Sequence, residues 1–416
     1  MNAARTTARR AYDVVLYGAT GFVGRQTVAY FAEHAGKLRW ALGGRSAEKL
    51  AQVRTASGPG AAAAGIALAA SDDTAALDAL AGQTAVVLST AGPFARHGSA
   101  LVAACVKHGT HYVDITGETP WVRDLIDRHH RDAAENGTRV IPCCGFDSVP
   151  SDLGAWLVAR AVHARHGERC ASVKACHSMR GGVNGGTLAS ALNMLDSGQA
   201  KRIDDPFLLN PAGTVPARAG EHADPIAPHL DADFDAWVGP FVMGAINTRV
   251  VRRSAALLAA SGDPAYGADF RYQEYQHFGA GPLAAAAAGS VSLGMGIGRA
   301  AMQLELVRTM LKSFAPPPGS GPSEATMDHG SFRCELVGTS ASGHLLRGRI
   351  AGRGDPGNRA TTRFVCEAAL ALATEADALP GGLRGGGVLT PATGLGTVLA
   401  RRLAATGMTI EPKPST

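Results

Sequence analysis

The feature that most constrains this chain is the stretch at residues 13–24, DVVLYGATGFVG. Val14, Val15, Leu16 and Tyr17 make a short apolar run that stops at Gly18, and Gly21 and Gly24 follow at intervals of three. The pattern reads as strand, tight turn and helix. Glycine at 18 and 21 lets the backbone bend and approach a diphosphate, and glycine at 24 lets the new helix lie against the strand. The first turn of that helix offers unpaired N–H groups and a partial positive charge to the phosphates. A GxxGxxG spacing alone can be a packing turn. Here an apolar strand precedes it and an amphipathic continuation (Val28, Tyr30, Phe31) follows it, the context that dinucleotide binding requires.

The tip of the second predicted strand, residues 38–43, sharpens the expectation. An Asp or Glu at this place holds the ribose 2′-hydroxyl of NAD. This chain has Gly43, Gly44, Arg45 and Ser46 instead. Arg45 can fork onto a 2′-phosphate and Ser46 can donate a further hydrogen bond, which predicts NADP(H) over NAD(H). In the plainer alternative, Arg45 is a solvated loop residue and Ser46 only caps the helix begun by AEKL. Asp72 and Asp73 follow a third strand, where an acid either reaches the adenine amino group or caps the next helix.

Strand and helix continue to alternate up to residue 150. Residues 84–89, 111–114 and 139–143 read as the fourth, fifth and sixth strands, which predicts an α/β fold built on a doubly wound parallel sheet. Ligands in such sheets lie beyond the carboxyl ends of the strands. The loop after the fourth strand, Ala91-Gly92-Pro93-Phe94, suits the nicotinamide ribose. Asp114, Thr116, Glu118 and Asp147 belong to the exit loops of the fifth and sixth strands and should share one rim with it.

With 416 residues, 46% hydrophobic and 18% charged, the chain has enough material for two or three cored domains. A net charge of +5, not gathered into a basic run, argues against a nucleic-acid partner. Seven cysteines without a CxxC pair suggest reduced thiols and a cytoplasmic setting. Cys143 and Cys144 read as strand-end packing, and no residues are put forward as a metal site. Residues 1–12 read as a flexible leader without the apolar segment of a signal peptide. Residues 278–297, FGAGPLAAAAAGSVSLGMGI, carry no Asp, Glu, Lys or Arg. Their Ala, Gly and Ser content disfavours a membrane span and predicts a buried helix or small-residue hairpin, with a lipid-facing surface as the alternative.

The segments GATGFVGR, LGGRS, STAGPFARHG, HYVDITGE and CCGFDSVPSD resemble the saccharopine dehydrogenase-like oxidoreductases, most closely the bacterial branch of trans-acting enoyl reductases. GGVNGGT, PFVMGAINTRVVRRS, DFRYQE, PPGSGPSE and GGVLTPATGLG extend the similarity over nearly the whole chain. The resemblance implies an NADP-binding Rossmann domain at 13–150, a second mixed α/β domain at 151–380, and a C-terminal helix within 381–416 that returns to the first domain. It also implies reduction of a double bond in a lipid-like or polyketide-derived substrate, free or carrier-linked. Carried over by position, the cofactor residues are Gly18, Thr20, Gly21, Phe22, Val23, Gly24, Arg45, Ser46, Ala91, Gly92 and Pro93. The resemblance supplies no proton donor.

In the second half, residues 241–253 suit a helix with Arg249, Arg252 and Arg253 near its C-terminal end, where they complement the dipole or hold an anionic substrate group. Residues 184–187 start a helix whose amides face a ligand or are simply capped. Residues 316–322, PPPGSGP, make a linker or lid, and two alternating strands at 332–339 and 344–351 form a hairpin whose exposed edge permits a homodimer. Tyr112, His177 and Tyr272 are the side chains to test as the acid that follows hydride transfer. Two rivals to enoyl reduction remain. One is a C–N (imine) reductase of the saccharopine type, and the other a non-catalytic NADP-binding protein at a lipid surface, for instance the inner face of the plasma membrane.

Overall fold

Strand and helix alternate through β1 (Tyr12–Tyr17), α1 (Phe22–His34), β2 (Trp40–Gly44), α2 (Ala47–Ala56), β3 (Gly65–Leu68), α3 (Thr74–Gly82) and β4 (Thr84–Ser89). A short α4 (Phe94–His97) and α5 (Ser99–His108) lead to β5 (His111–Asp114), α6 (Thr119–Asn136), β6 (Arg139–Ile141) and α7 (Val149–His166). The second half runs β7 (Cys170–Arg180), α8 (Gly185–Asp196), β8 (His229–Asp231), β9 (Ala236–Pro240), α9 (Gly244–Ala260), β10 (Tyr266–Gly279), α10 (Pro282–Ala301), α11 (Glu305–Phe314) and α12 (Glu324–Asp328). It closes with β11 (Ser331–Ser340), β12 (Leu345–Arg353), α13 (Thr361–Thr374), β13 (Gly387–Val388), α14 (Pro391–Ala405) and β14 (Thr409–Glu411). The computed structural model describes residues 10–182, 184–196, 198–216, 219–314 and 319–413.

The first sheet has the order β13-β6-β5-β4-β1-β2-β3, and all its pairings are parallel. Its central strands are apolar without alternation because helices cover both faces, so Val14, Val15, Leu16, Val86, Val87 and Leu88 are fully buried. The order reverses between β1 and β4, which places the Gly18 turn beside the loop that leaves β4. The second sheet has the order β14-β12-β11-β7-β10-β9-β8, parallel only between β7 and β10 among its pairings. Together the two sheets make the α/β fold with the doubly wound sheet that the residues predict and the second mixed sheet that the resemblance implies.

α7 is apolar on nearly every side, with buried residues from Val149 to Val162, as suits a helix enclosed on all faces. It packs on β7, β11 and β12 and touches α9 and α14. α13 lies against α1, β1, β4 and β5, and α14 against α13 and α7. The last part of the chain therefore crosses back onto the first sheet.

Three expectations change. Residues 278–297 do not form a buried helix or hairpin. Most of them belong to α10, which buries only Ala284 and Ala288 and leaves Leu283 88% exposed. Small residues on one stripe meet β9 and β10, the helix also touches β8, and Arg299 near its end pairs with Asp204, while Leu283, Leu293 and Ile297 stay exposed. No helix among the described residues is long and apolar enough to cross a membrane. The arginines of α9 sit in mid-helix, because the helix starts at Gly244 and continues to Ala260. The end of the expected leader is tied down: Arg10 donates to Thr110 Oγ1 at 2.6 Å and to the carbonyl of His108 at 2.7 Å, and Tyr12 opens β1. Of the expected 316–322 lid, residues 316–318 lie outside the described residues.

Candidate active site

The glycine turn is shaped by close approach. Gly18 has φ of +84°, a left-handed conformation that favours glycine. A Cβ there would stand 2.8 Å from the N of Ala91, and one on Gly24 would stand 2.1 Å from the Gly18 carbonyl oxygen. Gly21 caps α1 without a side-chain acceptor, and its N–H bonds to the Gly18 carbonyl at 2.9 Å. The next N–H groups, of Phe22, Val23 and Gly24, have no acceptor among the described residues. This cradle fits a diphosphate by shape and by charge.

Arg45, at the tip of β2, is exposed and forms no hydrogen bond with a described residue. Ser46 accepts from Lys49 N at 3.4 Å as the N-cap of α2, which leaves its hydroxyl proton free to donate. The pair fits a ribose 2′-phosphate. Asp73 caps α3 through Ala76 N at 3.0 Å. Asp72 lies near Tyr17 and, after burial, helps push that phenol up to about 12.

Around the turn, the exit loops of β4, β5 and β6 are bound to one another. Thr90 N donates to the Tyr17 carbonyl at 2.9 Å, and Ala91 packs on Gly18. The Gly92–Pro93 bond is cis. Glu118 is buried and accepts from Phe94 N (2.7 Å), Ala95 N (2.9 Å) and the Ser190 hydroxyl (2.8 Å). It thereby joins the β4 loop to α8. Asp114 accepts from Thr116 N (3.0 Å) and Cys143 N (3.1 Å). Burial pushes its carboxyl up to about 7 against the pull of those two amides.

A segment from the second half covers the turn. Arg25 donates to the Thr20 carbonyl (3.0 Å) and the Gly319 carbonyl (2.9 Å). Gly321 packs on the Phe22 ring so closely that a Cβ would come within 2.4 Å. Gly185 N donates to the Ser320 carbonyl at 3.2 Å, and the Asn184 side chain accepts from Thr187 N at 3.0 Å as a cap for α8.

The three candidate acids separate. Tyr112 is fully buried in the first sheet, enclosed near Asp114 and Ser89, and burial raises its phenol. His177 and Tyr272 come together in the second sheet around Glu274, and all three are buried. Glu274 Oε2 accepts from the Tyr272 hydroxyl and the Ser151 hydroxyl, each at 2.8 Å, and Oε1 accepts from Asn247 Nδ2 at 2.8 Å. His177 Nε2 lies 3.4 Å from Ser151 Oγ, and its ring stacks on Phe241 at 4.2 Å. Glu274 is not among the candidates that the sequence yields. The available signal was a glutamate in phase with Phe270 and Tyr272, on the apolar side of the alternation.

Arg249, Arg252 and Arg253 are buried and held inside the protein. Arg249 donates to the Ile203 and Asp205 carbonyls and pairs with Asp224, Arg252 donates to the Pro206, His222 and Tyr272 carbonyls, and Arg253 to those of Leu209 and Val388. They fasten Ile203, Asp205, Pro206, Leu209, His222 and Asp224 to α9. Neither the dipole role nor the anion-binding role describes them.

Comparison with known proteins agrees with this geometry. Residues 14–141 match the saccharopine dehydrogenase NADP binding domain, so the first sheet is an NADP(H)-binding domain. The trans-acting enoyl reductase of Mycobacterium tuberculosis is 39% identical over 419 residues, 96% of this chain and 97% of that one. The trans-acting enoyl reductase of Mycobacterium ulcerans is 37% identical, covering 97% of this chain and 98% of its own. Among solved structures, apo saccharopine dehydrogenase (L-Glu forming) from Saccharomyces cerevisiae superposes with a TM-score of 0.54 at 12% identity, over 96% of this chain and 99% of that one. That likeness is one of fold.

Proposed function

Because this chain belongs to the family of the trans-acting enoyl reductases, we propose that it reduces the carbon–carbon double bond of an α,β-unsaturated acyl or ketone substrate with NADPH. The observation that carries this reading is the 39% identity with those reductases over nearly the whole of both chains. NADPH supplies the hydride, and the protein supplies position, charge and exclusion of water. Gly18, Thr20, Gly21, Phe22, Val23 and Gly24 cradle the diphosphate, Arg45 and Ser46 take the 2′-phosphate, and Ala91, Gly92 and Pro93 wall the nicotinamide ribose. The substrate enters from the side of α8 and α9, where apolar Met243 and Ile246 approach the β5 exit loop, and it is lipid-like or polyketide-derived and free or carrier-linked.

An imine reductase would need an arginine-rich pocket for several carboxylates, and the arginines of α9 are consumed internally. The bare face of α10 supports peripheral contact with a lipid surface or with a second copy of the chain. The test is NADPH consumption with enoyl thioesters of increasing chain length, with mass analysis of the product. A gain of two hydrogens across the double bond is expected. Turnover of saccharopine with NADP+ but of no enoyl substrate would replace this reading with the imine one.

A further inference from the structure

The exit loop of β6 delivers one carboxyl group that no described residue binds. Cys143 has φ of +63°, a left-handed turn that is uncommon without glycine and clusters at functional sites. Its N–H is held by Asp114 at 3.1 Å. Four residues on, Asp147 is half-buried and accepts no hydrogen bond from the described residues. Its Oδ2 lies 3.9 Å from the point a Cβ on Gly117 would occupy, and the same point is 3.2 Å from Ile246 Cδ1 and 3.9 Å from Met243 Cε. The carboxyl therefore stands where the β5 exit loop faces the first turn of α9. Glu274 approaches from the second sheet with both oxygens already committed to donors. Burial first, and the Glu274 charge second, push Asp147 up to about 6. Cys143, on the same loop, is the other titratable group coupled to it, and the facing residues of α9 are apolar. Tyr112, His177 and Tyr272, by contrast, are enclosed in the sheets.

We propose that Asp147 is the catalytic proton donor of the enoyl reduction; the inference rests on the function proposed above. Hydride from NADPH forms a C–H bond at the β-carbon as the π bond opens toward the carbonyl. The resulting enolate takes the Asp147 proton at the α-carbon. NADP+ and the Asp147 carboxylate remain, and water restores the proton. The acid form is the active one, so kcat falls as pH rises above about 6.

The test compares the full-length wild type with D147N and D147E, using NADPH and an enoyl thioester. D147N is expected to lose roughly 10²–10⁴-fold in kcat, to keep its NADPH affinity, and to lose the fall of kcat with rising pH. D147E, which keeps an acid, is expected to recover part of the rate with that fall displaced. A D147N rate within threefold of wild type overturns the assignment. So does a slow D147N or D147E that keeps the wild-type pH profile, since that pattern marks a structural role. Absence of enoyl turnover in the wild type is a different result, and it overturns the reduction itself along with this role.

Discussion

Gly24 carries no side chain because the Gly18 carbonyl oxygen occupies the place of its Cβ, 2.1 Å away. Gly24→Val must push α1 off the turn, so NADPH affinity should fall by roughly 100-fold or more, a few kcal/mol of lost amide and dipole contacts. Titration of nucleotide fluorescence measures it. Arg45 is the complementary case, a cation that makes no side-chain hydrogen bond or ion pair with a described residue. Arg45→Asp should invert the preference between NADPH and NADH, because a charge-assisted bond of about 1.5–3 kcal/mol is replaced by repulsion. The kcat/KM ratio for the two nucleotides reports it. Asp152 belongs to stability and not to the site. It is buried, accepts from Ala392 N at 2.8 Å and from Ser254, and burial pushes it up to about 7. A carboxyl raised above its unfolded value of about 3.9 adds stability at low pH and loses it as pH rises through the folded value. The stability difference between wild type and D152N should therefore shrink from about pH 4 to about pH 7 and level off above, in urea titrations.

At the scale of elements, α10 shows where pattern and packing part. Leu283→Glu or Leu293→Glu changes a side chain in water and should move stability by less than about 0.5 kcal/mol. Ala288→Leu forces a branched side chain into the fully buried stripe against β9 and should cost about 1–3 kcal/mol. Thermal unfolding of the three variants checks both. The small size of Ala284 and Ala288 was legible in the sequence, but which face they serve depends on β9 and β10. The same holds for the site. The glycine turn and Arg45 follow from local backbone needs and from charge, so their residues could be named from the sequence. Of the Glu274 cluster only His177 and Tyr272 could be named, and not their meeting, because its members come from β7, α7, α9 and β10 and are joined only by tertiary packing. The two-residue β13 was equally hidden, since its sole signal is the register with Arg139 and Val140.

For the whole molecule, the decisive trait is the return of the chain after β12. α13 and α14 tie the two sheets together, Arg253 on α9 reaches the Val388 carbonyl at 2.6 Å, and Arg139 at the start of β6 reaches the carbonyls of Pro380 (2.6 Å), Gly382 (2.8 Å) and Gly394 (2.9 Å). Removing residues 385–416 should take one acceptor each from Arg139 and Arg253 and bare the apolar flank of α7, a loss comparable with the roughly 5–15 kcal/mol that holds a typical domain together. The truncated chain should be recovered mainly in the insoluble fraction, which centrifugation after expression at low temperature measures.

β13 and β14 come from the last thirty residues of the described chain, yet each forms the rim of a different sheet. A ribosome making this polypeptide at about 5–20 residues per second exposes both unfinished rims for many seconds before the completing strands emerge. Neither sheet gains its last strand until residues 387–411 have emerged, so the two halves are completed together.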